Sequence, residues 1–272
     1  MFTMGIDIGS SSSKVVILED GVNIVAGEVI QIGTGSTGPK RVLDEALSKA
    51  GLTLQDMAKI IATGYGRSSV EEAHKQISEI SCQAKGVFFL VPSAKLIIDI
   101  GGQDVKAIRL DSKGGVKQFF MNDKCAAGTG RFLDVMSRVL EVNLDEMAEY
   151  DARATEPATV SSTCTVFAES EVISQLSNGV AKENIIAGVH QSVASKACGL
   201  AYRCGVEEDI VMCGGVAKDL GVVRAISKEL KKPVIVAPNP QITAALGAAI
   251  FAFEEVMAAV IFAFEEVMGA HK

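Results

Sequence analysis

The sequence lacks several features that would direct it to particular classes of protein. It has 26 Lys and Arg against 33 Asp and Glu, a formal net charge of −7, and no segment carries the clustered positive charge that nucleic acid requires. No apolar run approaches the roughly 20 residues of a membrane span. The N-terminus leads directly into a strand, without the features of a leader segment. We therefore expect a cytoplasmic protein that binds neither nucleic acid nor a membrane.

The usual spacings of metal and redox motifs are also missing. The six cysteines include no CxxC pair, and a chain of 272 residues with 48% hydrophobic content needs no disulfide to fold. Four cysteines lie in apolar surroundings and are expected to be buried, inert thiols: Cys82, Cys198, Cys204 and Cys213. The histidines have no cluster of partners nearby in the sequence and are expected at the surface rather than in catalysis: His74, His190 and His271.

A repeated pattern of strands organises the first half of the chain. Short apolar runs predict strands at 4–8, 14–19 and 22–32, and the same order recurs at 95–100, 105–110 and 116–121. The repetition predicts an α/β protein with two related domains and a cleft between them. We expect one domain to comprise 1–94 with a returning helix at 250–272, and the other to comprise 95–249.

Each repeat carries a loop in which an Asp precedes glycines and small polar residues. Such residues let backbone N–H groups approach a polyphosphate closely, and a carboxylate can hold the water shell of Mg²⁺. The candidates for positioning metal and water are Asp7, Asp99 and Asp104. The candidates for phosphate contact are Gly9, Ser10, Ser11, Ser12, Ser13 and Lys14 in the first loop, and Gly101, Gly102 and Gln103 in the second.

A third glycine-rich turn follows a strand near residue 213, as expected where a nucleoside packs against bare backbone. Its candidate contacts are Gly214, Gly215 and Lys218, with Gln241 further along the chain. A single such turn is weak evidence, but three in this order, two of them with an Asp, are more specific. They resemble the phosphate-1, phosphate-2 and adenosine motifs of the actin, Hsp70 and sugar kinase superfamily of ATPases, whose two related domains enclose a nucleotide.

Cys125 and Cys164 differ from the other cysteines because small and polar residues flank them. Each is expected to lead into an amphipathic helix, at whose N-terminus the helix dipole favours a thiolate. The predicted apolar stripes are Phe132, Val135, Met136, Val139 and Leu140 after the first cysteine, and Val166, Ile173, Leu176 and Val180 after the second. With two such thiolates per chain, a four-thiolate iron–sulfur site would be shared between two copies.

Together with the three loops, these cysteines resemble those of the ATP-dependent activators of 2-hydroxyacyl-CoA dehydratases, relatives of the ATPase subunits of benzoyl-CoA reductase. The resemblance covers about residues 4–250. It implies a homodimer bridged by an oxygen-sensitive [4Fe-4S] cluster, with Cys125 and Cys164 as ligands, and ATP or ADP with Mg²⁺ in the cleft. It further implies ferredoxin or flavodoxin as electron donor, and a dehydratase that receives one low-potential electron.

Two other functions remain open on the sequence alone. A small-molecule kinase of the same superfamily would need a carboxylate base for a substrate hydroxyl and would have no use for the paired cysteines. A non-catalytic, actin-like scaffold would form filaments instead of a coloured dimer.

The end of the chain contains a duplication. The eight residues 250–257 recur identically at 261–268, a shift of 11 residues that corresponds to about three helical turns. We interpret the copy as a recent duplication rather than a functional element.

Overall fold

A computed structural model of the chain describes residues 1–161 and 163–269, the side chains of 267–269 excepted. The chain forms two compact units. Unit 1 comprises Met1–Leu90 and the chain from Gln241 onward, and unit 2 comprises Val91–Pro240. His271, expected at the surface from the sequence, lies outside the described residues.

Unit 1 is a five-stranded sheet covered by helices. Its strands are β1 (Phe2–Ile8), β2 (Ser13–Glu19), β3 (Asn23–Ile30), β4 (Met57–Thr63) and β5 (Lys75–Gln76), and its first helices are α1 (Gly38–Ala50) and α2 (Glu79–Leu90). The spatial order is β3-β2-β1-β4-β5. Strand β2 is antiparallel to both β1 and β3, whereas β4 is parallel to β1 and β5.

Unit 2 repeats this topology. Its strands are β6 (Leu96–Ile100), β7 (Val105–Leu110), β8 (Val116–Asn122), β9 (Ile210–Cys213) and β10 (Val234–Val236). Its helices are α3 (Gly130–Leu140), α4 (Met147–Ala152), α5 (Thr165–Ser177), α6 (Lys182–Cys204) and α7 (Leu220–Leu230). The order β10-β9-β6-β7-β8 again has the first strand in the centre, an antiparallel hairpin on one side and parallel strands on the other. The predicted internal repeat is therefore a repeat of fold.

The last helix, α8 (Thr243–Gly269), packs against the sheet of unit 1. Backbone approaches backbone here, since a Cβ at Gly5 of β1 would overlap the carbonyl of Ala245 and the amide of Ala249. The chain thus joins unit 1 from Gln241, ahead of Ile250.

The two copies of the duplicated sequence occupy different surroundings on α8. In the first copy, Ile250 and Ala252 are buried. In the second, Ile261, Phe262 and Phe264 are 55%, 62% and 66% exposed.

Among the described residues, one stretch has the length and hydropathy of a membrane span: the 24 residues Thr243–Glu266 of α8. This corrects the expectation that no apolar run approaches that length. Glu254 and Glu255 interrupt the stretch in the sequence and so hide its length. The early part of the stretch is a core helix of unit 1, because Ala245, Leu246 and Ala248 are fully or almost fully buried against the sheet.

Candidate functional site

In unit 1, a buried carboxylate lies near the end of the central strand. Asp7 is 4% exposed and pairs in register with Lys14 of β2, whose Nζ lies 2.9 Å from Asp7 Oδ2. The other oxygen, Oδ1, is buried and has no hydrogen-bond partner among the described residues. It lies against Gly64, where φ is +87° and a Cβ would overlap it. A buried oxygen left without a partner suits a ligand or a metal-bound water.

Unit 2 contains the same arrangement at the end of its central strand. Asp99 is 5% exposed and pairs in register with Lys106 of β7, with 3.4 Å between Lys106 Nζ and Asp99 Oδ2. Lys106 is 2% exposed and also lies 2.8 Å from Asp104 Oδ1. A Cβ at Gly214, where φ is +84°, would overlap Asp99 Oδ1.

The repeated unit of the site is therefore an aspartate, a lysine and a glycine from three neighbouring strands or strand ends. Sequence reasoning found both aspartates, Lys14 and Gly214, but missed Lys106 and Gly64. A signal was available, because each lysine follows its aspartate by seven residues. In both units, the glycine directly follows the strand that is parallel to the central one: Gly64 follows β4, and Gly214 follows β9.

The first predicted phosphate loop is a tight turn. Gly9 N donates to Ser12 O at 2.9 Å, and Gly9 O accepts from Thr34 N at 3.0 Å. Ser11 is exposed, and Gly9, Ser10 and Ser12 are half-buried. Ser13 is different, because its buried hydroxyl donates to Ile32 O at 2.8 Å and so holds the loop rather than facing solvent.

The second predicted phosphate loop closes on itself and also contacts α3. Gly101 N donates to Asp104 O at 2.9 Å. Gly101 O and Gly102 O accept from Gly130 N and Arg131 N, both at 2.9 Å. Gln103 is exposed, as phosphate contact would require.

The third turn begins at Gly214, whose N–H donates to Pro240 O at 2.8 Å. A 3₁₀ turn over Gly215–Lys218 follows, in which Gly215 and Lys218 are exposed. Asp219 then caps α7 by accepting from the N–H groups of Gly221 and Val222. Gln241, the remaining predicted nucleotide contact, is half-buried where the chain returns to unit 1.

The two singled-out cysteines lie close together in unit 2. Cys164 is the N-cap residue of α5, as its predicted place requires. Cys125 does not begin a helix, because α3 starts at Gly130 with Thr129 as N-cap, and a turn separates the cysteine from it. Cys125 Sγ lies 3.8 Å from Thr163 O, next to Cys164. Both cysteines are half-buried.

The other four cysteines are buried, as predicted. Burial raises the pKa of the Cys82 and Cys198 thiols to about 12, and it also raises the pKa of Cys204. These thiols stay protonated at neutral pH and make poor metal ligands.

The predicted apolar stripe on α3 is buried or half-buried, but the stripe on α5 is partly wrong. Ala168 and Val172 form the buried face of α5. Val166 and Phe167 are each 65% exposed, and Ile173 is 50% exposed. These three residues form an exposed apolar face that begins beside Cys164, which we call the α5 face.

His190 is not at the surface. It is fully buried on α6, with Nδ1 3.4 Å from Asp151 Oδ1 and Nε2 3.1 Å from Asp219 Oδ2. Arg224 approaches Asp151 Oδ2 at 2.7 Å. Burial alone would lower the pKa of His190, but the two carboxylates outweigh it and raise the pKa from 6.5 to about 9. His74 is exposed, as expected.

These features define a class. Two units of one topology, each with an aspartate–lysine pair and a glycine turn at equivalent strand ends, are characteristic of nucleotide-binding ATPases of the actin, Hsp70 and sugar kinase type. A solved ROK family glucokinase from Streptomyces griseus has this fold, with a TM-score of 0.58 and 13% identity over 93% of this chain and 100% of that one.

The family follows from closer comparisons. Residues 4–252 match the BadF/BadG/BcrA/BcrD ATPase family, and the chain belongs to that family. The activator of lactoyl-CoA dehydratase from Anaerotignum propionicum is 70% identical over 254 residues, which cover 93% of this chain and 98% of that protein. The solved activator of the 2-hydroxyisocaproyl-CoA dehydratase from Clostridium difficile, with bound ADPNP, is 52% identical with a TM-score of 0.92, covering 95% of this chain and 97% of that one.

Proposed function

We propose that this ATPase activates a 2-hydroxyacyl-CoA dehydratase by transferring one low-potential electron to it at the expense of ATP. The names of the similar proteins support the dehydratase as partner. The observation that carries the proposal is the pair of accessible cysteines, Cys125 and Cys164, in the unit that also contains the second phosphate loop and the glycine turn at Gly214. A cytoplasmic location stays a prediction.

The nucleotide chemistry rests on the aspartate–lysine pairs. We assign Mg²⁺ and the attacking water to Asp7, Asp99 and Asp104, and phosphate contact to Lys14 and Gln103. The unpaired Oδ1 of Asp7 supports this assignment, because hard cations such as Mg²⁺ are bound through carboxylate oxygens or their waters. Gly64 and Gly214 let the two carboxylates pack directly against the backbone, because a Cβ at either position would overlap the Oδ1 of Asp7 or Asp99.

The donor set fits a shared iron–sulfur cluster. Cys125 and Cys164 supply two thiol sulfurs from one surface region, and no group of three or more His, Cys, Asp or Glu residues able to hold a metal occurs in the described part of the chain. A cluster with four thiolates therefore needs the same pair from a second chain. When bound, a [4Fe-4S] cluster supplies a one-electron reductant.

The α5 face supports a homodimer around these cysteines. Val166, Phe167 and Ile173 expose apolar surface on the helix that Cys164 begins. Contact with the same face of a second chain would remove this surface from water and bring four cysteines together. The dimer would then bind two further proteins: a ferredoxin or flavodoxin that donates the electron, and the dehydratase that receives it.

ATP must act through a difference in affinity between two conformations of the chain. A ligand that binds both equally shifts nothing, so nucleotide has to favour the conformation that donates the electron, and hydrolysis has to restore the other. The residues of the three loops are the part of the chain that would sense this difference.

The test is the iron content and visible absorption of protein purified without oxygen. We expect a brown protein with about four irons per dimer, and a colourless one after Cys125→Ala. Cys198→Ala, which removes a buried thiol, is the matched control and should keep its iron. An iron-free wild-type protein that hydrolyses ATP after anaerobic reconstitution would contradict the proposal and favour a small-molecule kinase.

A further inference from the structure

We propose that Arg67 is a further catalytic residue of the ATPase, whose guanidinium contacts the γ-phosphate of ATP bound at Asp7. The residue ends the sequence Gly64-Tyr65-Gly66-Arg67, which follows β4 and belongs to none of the three nucleotide loops. The inference rests on the proposed function, since it takes Asp7 to position Mg²⁺ and the attacking water.

The turn that carries Arg67 is fixed to the strand end that carries Asp7. Gly66 N donates to Ile8 O at 2.8 Å, and Ile8 directly follows Asp7. A Cβ at Gly66 would overlap Ile8 Cγ2, so the glycine packs directly on this residue. Ser69 closes the turn, because its amide and its hydroxyl both donate to Gly66 O, at 2.9 Å and 2.7 Å. The turn is therefore held beside the first phosphate loop.

The side chain of Arg67 is directed to the glycine that packs on Asp7. Its Nη1 donates to Gly64 O at 3.0 Å, and a Cβ at Gly64 would overlap Asp7 Oδ1. Burial is the main cause of the raised pKa of the Cys82 thiol, but the charges of Asp7 and Arg67 also reach this thiol, the first raising its pKa and the second lowering it. The guanidinium and the carboxylate therefore lie near the same glycine and the same buried thiol.

The charge of Arg67 is available to a ligand. Six other cationic side chains in residues 1–90 have a carboxylate partner: Lys14, Arg41, Lys49, Lys59, Lys75 and Lys85. In the described part of the chain, the exposed side chain of Arg67 forms no ion pair, and neither does Lys40. Lys40 instead lines a cavity on the α1 side of the sheet, with Ile6 and Leu43. Arg67 is thus the unpaired cation beside Asp7.

A triphosphate needs positive charge that the existing pair at Asp7 does not supply. Lys14 Nζ lies 2.9 Å from Asp7 Oδ2, so these two charges largely cancel. Arginine presents five N–H donors in a planar fork that matches the oxygens of a phosphate. Gly64 O accepts from one of them, which orients the guanidinium and leaves the others for phosphate oxygens.

The proposed contact acts on the hydrolytic step. The oxygen of a water molecule bonds to the γ-phosphorus while the bond from this phosphorus to the β,γ-bridging oxygen breaks. The electron pair of the broken bond stays with ADP, and one proton of the water is released to solvent. Charge is spread over the three equatorial oxygens of the transferred group in the transition state. Arg67 donates to these oxygens, whereas ADP offers it no γ-phosphate to contact.

The test compares ATP hydrolysis with nucleotide affinity in the full-length holoprotein, purified without oxygen. Arg67→Gln keeps N–H donors and removes the charge. We expect kcat to fall about a hundredfold or more, the size of effect seen when one donor to a transition state is removed. By calorimetry with Mg²⁺, the Kd of a non-hydrolysable ATP analogue should rise about tenfold, and that of ADP should change less than about twofold.

Arg41→Gln is the matched control. Arg41 is an exposed arginine of the same unit that pairs with Glu45 along α1, so kcat and both affinities should stay unchanged. Free guanidinium, added well below the concentration that unfolds the chain, should restore part of the activity of Arg67→Ala, because a free cation can occupy the vacated position. A purely structural role of the turn would give no such rescue.

An unchanged kcat in Arg67→Gln would overturn the inference. Equal losses of affinity for ADP and for the ATP analogue would also overturn it, because the substitution would then disturb the whole site. If Arg67→Gln does not fold, Arg67→Lys keeps the charge without the fork and should show the same pattern with a smaller loss. A wild-type chain that neither binds nor hydrolyses ATP would defeat the proposed function instead.

Discussion

At the residue scale, buried charges in this protein are balanced within small clusters. Lys106 is 2% exposed and faces two carboxylates, Asp99 and Asp104. Removing one partner of such a buried group is costly because the others lose their compensation. The lysine therefore keeps two acidic side chains close together in the interior, and this arrangement sets the charge that any metal would meet.

His190 gives a pH dependence of stability whose sign follows from its pKa. The folded pKa is raised from 6.5 to about 9, so the stabilising contribution is complete below pH 6.5 and is lost as the pH rises through 9. The facing charges are Asp151 on α4, Asp219 at the N-cap of α7, and Arg224 on α7, which pairs with Asp151. We expect the free energy of unfolding in urea to fall by about 3 kcal/mol across this window.

His190→Gln should remove that slope, since glutamine does not titrate. Chemical denaturation at a series of pH values between 6 and 10 measures both proteins. A wild-type stability that does not fall between pH 6.5 and 9 would show that the imidazole is neutral in the folded state.

The sequence did not reveal this cluster because its members are far apart along the chain. Asp151, His190 and Asp219 come together only when α4, α6 and α7 pack. Lys106 was missed for a different reason, since a lysine in a strand pattern is normally assigned to the solvent face. The aspartates of the loops were found because glycine and Asp next to an apolar strand form a local signal.

At the element scale, α5 shows a limit of apolar periodicity. The pattern marks side chains that avoid water, but it does not separate a face packed within the unit from one that faces outward. Ala168 and Val172 are buried, whereas Val166, Phe167 and Ile173 are exposed. Similarly, the helix after Cys125 was correctly predicted, but its start was placed too early, since Gly128, with a positive φ, and Thr129, the N-cap, put the start at Gly130.

The α5 face yields a prediction about assembly. Phe167→Ser should weaken self-association at least about tenfold, because each of two chains loses a phenylalanine whose burial is worth about 1.5–3 kcal/mol. Analytical ultracentrifugation over a range of concentrations measures the dissociation constant. Leu220→Ser is the control, since Leu220 is 55% exposed at the start of α7 and should have little effect. Equal effects of the two substitutions would argue against a dimer through α5.

At the scale of the whole molecule, the repeat of strand order could be predicted. The sequence shows the same series twice: a strand, a loop with an Asp followed by Gly, and a hairpin. The position at which the chain returns to unit 1 was predicted less accurately than the strand order. The small residues Ala245, Ala248 and Ala249 look unremarkable in sequence, yet they allow α8 to touch β1 at Gly5.

The second copy of the duplicated segment should be dispensable for folding. Residues 258–266 are exposed, and the buried contacts of α8 are made before them. A chain ending at Met257 should keep the melting temperature of the full chain within a few degrees, since surface changes have small effects, and should aggregate less because Phe262 and Phe264 are gone. Calorimetry and light scattering measure the two quantities. A large loss of stability would show that the copy packs.

The division of the chain has a consequence for biosynthesis. Unit 2 is continuous from Val91 to Pro240, but the sheet of unit 1 needs α8, which follows unit 2, to cover Val16, Leu18 and Ile61. Since domains fold as units while the ribosome advances, the cysteine-bearing unit completes first. Until α8 has been synthesised, one apolar face of the N-terminal sheet is exposed to solvent. This early segment is therefore the one that nascent-chain chaperones have to protect.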